Sequence, residues 1–222
     1  RKSWTNAIVN NAVNLPATTG FTNNTALFNS VANTTTETDT GVSVTVFAGE
    51  TGTLTAEAFT VGSAANYNAT LTCTGNATAL AGNSLTVSAA DTAIVCTYSN
   101  TRLQSTLRLA KAWGANSIAG NVASIGATTG LTNNTALFTS TASTNTNGAF
   151  VTVFAGETAT LPAETMTTGS LANYTTALAC DNGVTPSGAN GQASNTVTIA
   201  AANAGQAITC TYTNTRRSAT LT

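Results

Sequence analysis

The chain contains two lysines, Lys2 and Lys111, and each stands two residues before a tryptophan, Trp4 and Trp113. Residues two apart on a strand share a face. Leu107, Leu109, Lys111 and Trp113 therefore point one way, and three of the four are apolar. A lysine on such a face is expected to be buried, where desolvation lowers its pKa and leaves a neutral, nucleophilic amine. Asparagine intrudes in the same manner. Ile208, Cys210, Tyr212 and Asn214 share a face, as do Ile94, Cys96, Tyr98 and Asn100. Glutamate does so as well: Glu57 is in phase with Phe59 and Val61, and Glu164 with Met166. A buried carboxylic acid that stays protonated can donate to a carboxamide and polarise it. Amine, carboxamide and carboxylic acid are together the set needed for an intramolecular isopeptide bond. The amine attacks the carboxamide, ammonia leaves, and the glutamate shuttles the proton in a single turnover. Two other readings use the same residues. One is a buried Lys–Glu ion pair with Asn as hydrogen-bond partner and no covalent bond. The other is a lysine that reaches the domain edge and lies over the neighbouring tryptophan.

The elements that must position these groups occur twice. "KSWTNAIVNNAVNLPATTGFTNNTALF" from Lys2 matches "KAWGANSIAGNVASIGATTGLTNNTALF" from Lys111. "VTVFAGETGTLTAEAFTVGSAANYNATLTC" matches "VTVFAGETATLPAETMTTGSLANYTTALAC", and "CTYSNTR" matches "CTYTNTR". The repeat is about 110 residues, the size of one β-sandwich domain. Its frame is offset from the chain ends. The second copy opens on "STLRLAKAW", the first has only "RKSW", and "RRSATLT" reads as the start of the same strand for a third copy. The expected frame is 1–104, 105–217 and 218–222. Either longer tandem sequence continues on both sides, or one chain's tail completes the next chain's domain by strand addition. The absence of an initiator Met and of a signal peptide is expected of a mature piece or fragment.

Strands are expected around 107–113, 42–48, 57–61, 69–73, 84–87 and 93–100, with counterparts in the second copy. They are short, separated by Asn-Gly, Thr-Gly and Gly-Asn turns, and no helical apolar period is sustained. Thr, Ala, Asn and Gly dominate the composition. Charged residues are 7% and hydrophobic residues 42%, which argues against disorder and for an ordered all-β chain. The net charge of -1 and the lack of a basic patch exclude a nucleic-acid binder. No apolar run is long enough for a membrane span. With no histidine, a His-based triad is excluded and most zinc chemistry with it, so no metal and no cofactor are expected.

Each copy holds two cysteines, and pairing within a copy, Cys73–Cys96 and Cys180–Cys210, is the natural connectivity. Paired cysteines in such a composition suit a secreted protein. Glu50 and Glu157, in the recurring "AGET", follow a glycine and are expected at a turn; they are the second choice for the carboxylate. Glu37 and Asp39 in "TTTETDTG" have no acidic counterpart in the second copy, which argues against a Ca²⁺ site. The Asn-x-Ser/Thr sequons at Asn23, Asn68 and Asn173 are of the kind that chance produces in so Asn- and Thr-rich a chain. Trp4 and Trp113 are expected as core anchors.

Lysine in the first strand, glutamate in mid-domain and asparagine near the end of the last strand resemble the collagen-adhesin B-type domains of bacterial pilins and adhesins, which are prealbumin-like and SpaA-type. The resemblance covers both copies. It implies two tandem Ig-like, prealbumin-like β-sandwiches and isopeptide bonds Lys2–Asn100 and Lys111–Asn214, with Glu57 and Glu164 catalytic. The family's Gly-Tyr after the Glu has only "ANY", ending at Tyr67 and Tyr174, as a counterpart here, and the cysteine pair is an addition. The expected role is a structural repeat of an extracellular or cell-surface stalk, fibre or filament. Its partners would be copies of itself end to end, in tandem or strand-complemented. The alternative is an adhesin module binding a carbohydrate or host protein. An enzyme is not expected, beyond the single-turnover crosslinking itself.

Overall fold

The computed structural model describes residues 1–188 and 195–221. The chain divides into two compact units, Arg1–Arg102 and Leu103–Thr222. Residues 189–194 of the second repeat and Thr222 of the expected third-copy strand lie outside the described residues.

The first unit runs β1 (Lys2–Thr5), β2 (Ala12–Leu15), β3 (Phe28–Val31), β4 (Glu37–Asp39), β5 (Thr51–Thr53), β6 (Ala58–Val61), β7 (Tyr67–Thr74), β8 (Ser84–Thr86) and β9 (Val95–Arg102). The second runs β10 (Gln104–Trp113), β11 (Val122–Ile125), β12 (Phe138–Thr141), β13 (Thr146–Asn147), β14 (Val151–Phe154), β15 (Thr158–Leu161), β16 (Glu164–Thr168), β17 (Tyr174–Cys180), β18 (Asn195–Thr198) and β19 (Ala207–Arg216). Each unit is a β-sandwich. In the first, the sheet β4-β1-β9-β7 is covered by β3-β2-β6 and the pair β5-β8. In the second, β13-β10-β19-β17, with β14 also on β10, is covered by β12-β11-β16 and β15-β18.

The first and last strands of each unit are parallel neighbours. Lys2 to Thr5 pair with Tyr98 to Thr101, and Thr106 to Trp113 pair with Ala207 to Asn214. Alternation explains which side chains enter the core. Along β10, Leu107, Leu109, Lys111 and Trp113 are all buried, and along β19 so are Ile208, Cys210, Tyr212 and Asn214. The turns use glycine where the backbone demands it. Gly62 and Gly169 end β6 and β16 at φ +93° and +96°, and an added Cβ would strike the side chains of Asn11 and Asn121.

One expected strand is absent. Residues 42–48 form no strand, whereas their counterpart β14 does. In the second unit β14 pairs with Gln104 to Leu107 at the start of β10, whereas β1 pairs with β4 and β9. Consistently, Phe154 is 7% exposed and its counterpart Phe47 is 52% exposed. The second core has a large cluster that includes Leu107 and Leu109 and a smaller one around Trp113 and Tyr174. The first divides in the same way, between a cluster around Trp4 and another around Leu54 and Leu85.

Cys73 pairs with Cys96 across β7 and β9, and Cys180 with Cys210 across β17 and β19, each directly opposite in register. Neither forms the Lys–Asn connection; both tie the last strand to its antiparallel neighbour. Replacing either pair by alanines is expected to destabilise its unit by roughly 3.5 kcal/mol on the chain-entropy view. Denaturant unfolding of the variant beside the parent measures this.

Candidate functional site

The parallel register sets the site. Trp113 lies directly opposite Asn214 and Lys111 opposite Tyr212, so Lys111 and Asn214 are diagonal neighbours on the core face. Trp4, Asn100, Lys2 and Tyr98 repeat the arrangement. The glutamates come from the covering sheet. Glu164 opens β16, paired with Ile125 of β11, and Glu57 stands one residue before β6. The structure therefore brings together Lys111, Glu164 and Asn214 from three strands.

All three are sealed from water, with exposures of 1%, 3% and 0%. Lys111 Nζ donates to the carbonyls of Ala112 at 2.9 Å and Tyr212 at 3.2 Å. It sits 4.5 Å over the Trp113 ring and 3.4 Å from Glu164 Oε1. The same Oε1 accepts from Asn214 Nδ2 at 2.7 Å. One carboxylate oxygen thus touches both the amine and the carboxamide nitrogen. The residue reading expected a protonated glutamate polarising the carboxamide. The structure instead places the amide nitrogen, the group that would leave, on the glutamate.

In the first unit the amine and the carboxylate are closer. Lys2 Nζ approaches Glu57 Oε2 to 2.6 Å and lies 4.5 Å over Trp4. Yet Lys2 Nζ, Glu57 Oε2 and both polar atoms of the Asn100 carboxamide are buried without a well-directed hydrogen bond, as is Asn214 Oδ1 in the second unit. Such atoms are rare in folded proteins and call for an explanation.

Burial sets the protonation. Desolvation lowers Lys111 to about 8, against the opposing pull of Glu164. It lowers Lys2 as well, against Glu57. Desolvation also raises Glu164, with Lys111 and Asn214 acting the other way. Both shifts favour the neutral amine and the neutral acid. Lysine that escapes to the domain edge is therefore not what the structure holds: both lysines are buried, although each does face its tryptophan.

Several supporting residues carried no chemical signal in the sequence. Tyr212 Oη donates to Pro162 O at 2.7 Å and Tyr98 Oη to Thr55 O at 2.8 Å. Each tyrosine so ties the last strand to the segment that carries the glutamate, two residues further on. Trp113 Nε1 donates to Ser140 Oγ and Trp4 Nε1 to Ser30 Oγ, which orients the indoles beside the amines. Tyr174 and Tyr67 stand edge-on to these tryptophans, with ring centroids 5.6 Å away. The recurrence of "CTYxNTR" was the available clue to the tyrosines. The serines lacked one, because hydroxyl residues are abundant everywhere in the chain.

The second-choice carboxylates lie elsewhere. Glu50 accepts from Phe47 N and Thr22 N, and Glu157 from Phe154 N and Thr132 N. Each closes its turn after a glycine at positive φ, Gly49 or Gly156. Glu37 caps residues 33 and 34, and Asp39 accepts from Ser30 Oγ. Among the described residues no group of three or more His, Cys, Asp or Glu side chains could hold a metal ion, and no helix is long and apolar enough to cross a membrane.

The low lysine pKa has a measurable consequence where no bond can form, as in the Asn100→Ala/Asn214→Ala chain. From about pH 8, where folded Lys111 titrates, up to the onset of tyrosine ionisation near 10, the unfolded chain binds more protons at lysine than the folded one. Stability from this group therefore rises with pH across that window. Glu164, raised in the folded state, acts in the opposite sense, and its contribution falls as pH climbs above its ordinary range. Melting temperature against pH should slope upward there, and the slope should shrink when Lys111→Met is added.

The family model SpaA_3, a prealbumin-like fold domain, matches residues 103–216. No curated protein matches the chain. Among solved structures, a Mobiluncus mulieris adhesin containing intramolecular disulfide, isopeptide and ester bond cross-links is similar at 15% identity and a TM-score of 0.35. That match covers 59% of this chain and 46% of the adhesin, so the chain spans about half of that protein's length. The major pilin of Streptococcus pyogenes is 14% identical over 97% of this chain and 96% of its own, with a TM-score of 0.37. A C-terminal fragment of the pilus adhesin SpaC from Lactobacillus rhamnosus GG is 11% identical over 100% and 97%, with a TM-score of 0.38. The family match spans just over half of the chain, its residues are one of two copies of the same sandwich, and the chain belongs to the SpaA-type prealbumin-like domain family.

Proposed function

We propose that this chain is a structural repeat of an extracellular bacterial stalk, fibre or filament, in which each sandwich is locked by an autocatalytic isopeptide bond between its first and last strands. The observation that carries this reading is the single Glu164 oxygen that contacts both Lys111 Nζ and Asn214 Nδ2 inside a dry core. Proton transfer within the buried pair leaves a neutral amine and a neutral acid. The Nζ lone pair attacks Asn214 Cγ. Glu164 gives its proton to Nδ2, which departs as ammonia, and as carboxylate takes one back from Nζ. A Lys–Asn amide and the unchanged glutamate remain, so the glutamate acts as general acid and base in turn. The product also accounts for two of the orphaned atoms. In the first unit the reaction removes Asn100 Nδ2 and converts Lys2 Nζ to an amide nitrogen.

The bond would join the strands that bear the load when a chain is pulled from its ends. Because β1 and β9, or β10 and β19, are parallel neighbours, end-to-end tension shears them, and a covalent tie bypasses the hydrogen bonds. Together with the cystines, the covalent path would run from the first strand through the last to its antiparallel neighbour. Repetition of such units, end to end, is the architecture of a fibre.

Intact mass after disulfide reduction tests the chemistry. The chain is expected to be lighter than its sequence by one ammonia for each crosslinked unit. Glu164→Ala should retain the ammonia of the second unit, and Glu57→Ala that of the first. An unmodified mass for the parent chain refutes the covalent reading and leaves the buried ion pair.

A further inference from the structure

The covering sheet delivers Glu164, but its hydrogen-bond ladder does not by itself fix where the carboxyl stands. Glu164 is the first residue of β16, and its pairing with Ile125 is the last rung of the ladder to β11. Pro162 and Ala163, which lead into it from β15, belong to no strand. In the first unit residues 54–57, Glu57 included, lie outside any strand. A segment without ladder hydrogen bonds shifts readily unless another contact holds it. The carboxyl has little room for such a shift. Its Oε1 stands 3.4 Å from Lys111 Nζ and 2.7 Å from Asn214 Nδ2, and one oxygen must serve both.

A hydroxyl from the strand that carries the asparagine reaches this segment in each unit. Tyr212 Oη donates to Pro162 O at 2.7 Å, and Tyr98 Oη to Thr55 O at 2.8 Å. Each acceptor stands two residues before its glutamate. The acceptor residue differs between the units, which a bond to a backbone carbonyl tolerates; the tyrosine that supplies the donor does not differ. Proline has no N–H, so the carbonyl is the only backbone group by which Pro162 can be tied down. Tyr212 meets the amine as well. It lies opposite Lys111 in the parallel register, and its own carbonyl accepts from Nζ at 3.2 Å. Burial, and then the charge of Glu164, push its phenol well above the ordinary value. The hydroxyl therefore remains a donor where Lys111 titrates, at about 8.

We propose that Tyr212 is a positioning residue for the crosslinking reaction: its hydroxyl clamps Pro162 and so holds Glu164 between the lysine amine and the asparagine carboxamide. Tyr98 does the same for Glu57 through Thr55. This rests on the isopeptide reading and deepens it. The phenol exchanges no proton in the reaction; it acts through the backbone of the segment that carries the glutamate. The last strand then supplies both the carboxamide that is attacked and the tie that sets the acid beside it.

Two measurements test it. In the first, the full chain carrying Asn100→Ala is recovered unfolded and unreacted in denaturant, refolded, and followed by intact mass, so that loss of one ammonia reports the second unit alone. Tyr212→Phe is expected to slow that loss roughly ten- to a hundredfold, the effect of about 1 Å of misplacement in a reacting array. Tyr98→Phe in the Asn214→Ala chain should slow the first unit likewise. The second measurement uses the Asn100→Ala/Asn214→Ala chain, in which no bond can form. Lys2 and Lys111 are the chain's only lysines, so selective labelling gives two NMR resonances, and Lys111→Met assigns them. Glu164 pulls Lys111 up, and Lys111 pulls Glu164 down. Loss of the clamp lets the two separate within the dry core, so Tyr212→Phe should move the Lys111 midpoint below its parent value and that of Glu164 above. A tyrosine that merely fills space gives the opposite signs, because water entering a loosened core returns both groups toward their ordinary values. Equal rates in the parent and Tyr212→Phe, or a Lys111 midpoint that stays or rises, overturn the proposal alone. A parent that never loses ammonia overturns the isopeptide reading and this proposal with it.

Discussion

An ammonium group under a tryptophan, out of reach of water, is the constraint around which each unit is built. Lys111 is 1% exposed and yet must leave its amine hydrogen-bonded and its charge compensated. Two carbonyls, one indole face and one carboxylate are arranged to do so. The Tyr212 carbonyl is brought there by the parallel pairing of the first and last strands, which also fixes the diagonal between Lys111 and Asn214; the glutamate is delivered by the covering sheet. Removal of one partner of a buried charged pair strands the other, at a cost of about 3–5 kcal/mol. The sheet, the covering layer and the site are therefore one interdependent arrangement.

The same burial that destabilises the charged lysine makes it reactive. In water an amine near its ordinary pKa is almost wholly protonated at neutral pH and is no nucleophile. Desolvation brings Lys111 to about 8 and pushes Glu164 the other way, so the neutral pair becomes accessible without any cofactor. Conversion to an amide would then remove the charges altogether. The desolvation penalty of the ion pair would disappear with the pair itself.

Comparison of the two units within one chain separates what a local motif does from what its neighbours do. "VTVF" is identical in both copies, yet it is a strand in one and not in the other. Its β-propensity is the same; the backbone partner differs. Phe47 is 52% exposed and its counterpart Phe154 7%.

The legible part of this protein lay in its periodicity. Two-residue alternation placed Lys, Glu and Asn on core faces because a strand has no other way to dispose successive side chains, and internal repetition gave the unit length. Equal treatment of the repeats also suggested the cysteine pairing, since each copy holds only two. Alternation says nothing about which strands are neighbours. The parallel contact of first and last strands, the delivery of Glu164 from the opposite sheet and the tyrosine ties to Pro162 and Thr55 arise from long-range pairing that no local pattern encodes. The orientation of the Asn214 amide, nitrogen rather than oxygen toward Glu164, is a matter of a few ångströms inside a packed core. Residues 42–48 read as a strand and form none, whereas their counterpart β14 is paired with β10: pairing, which no local pattern encodes, decides the difference.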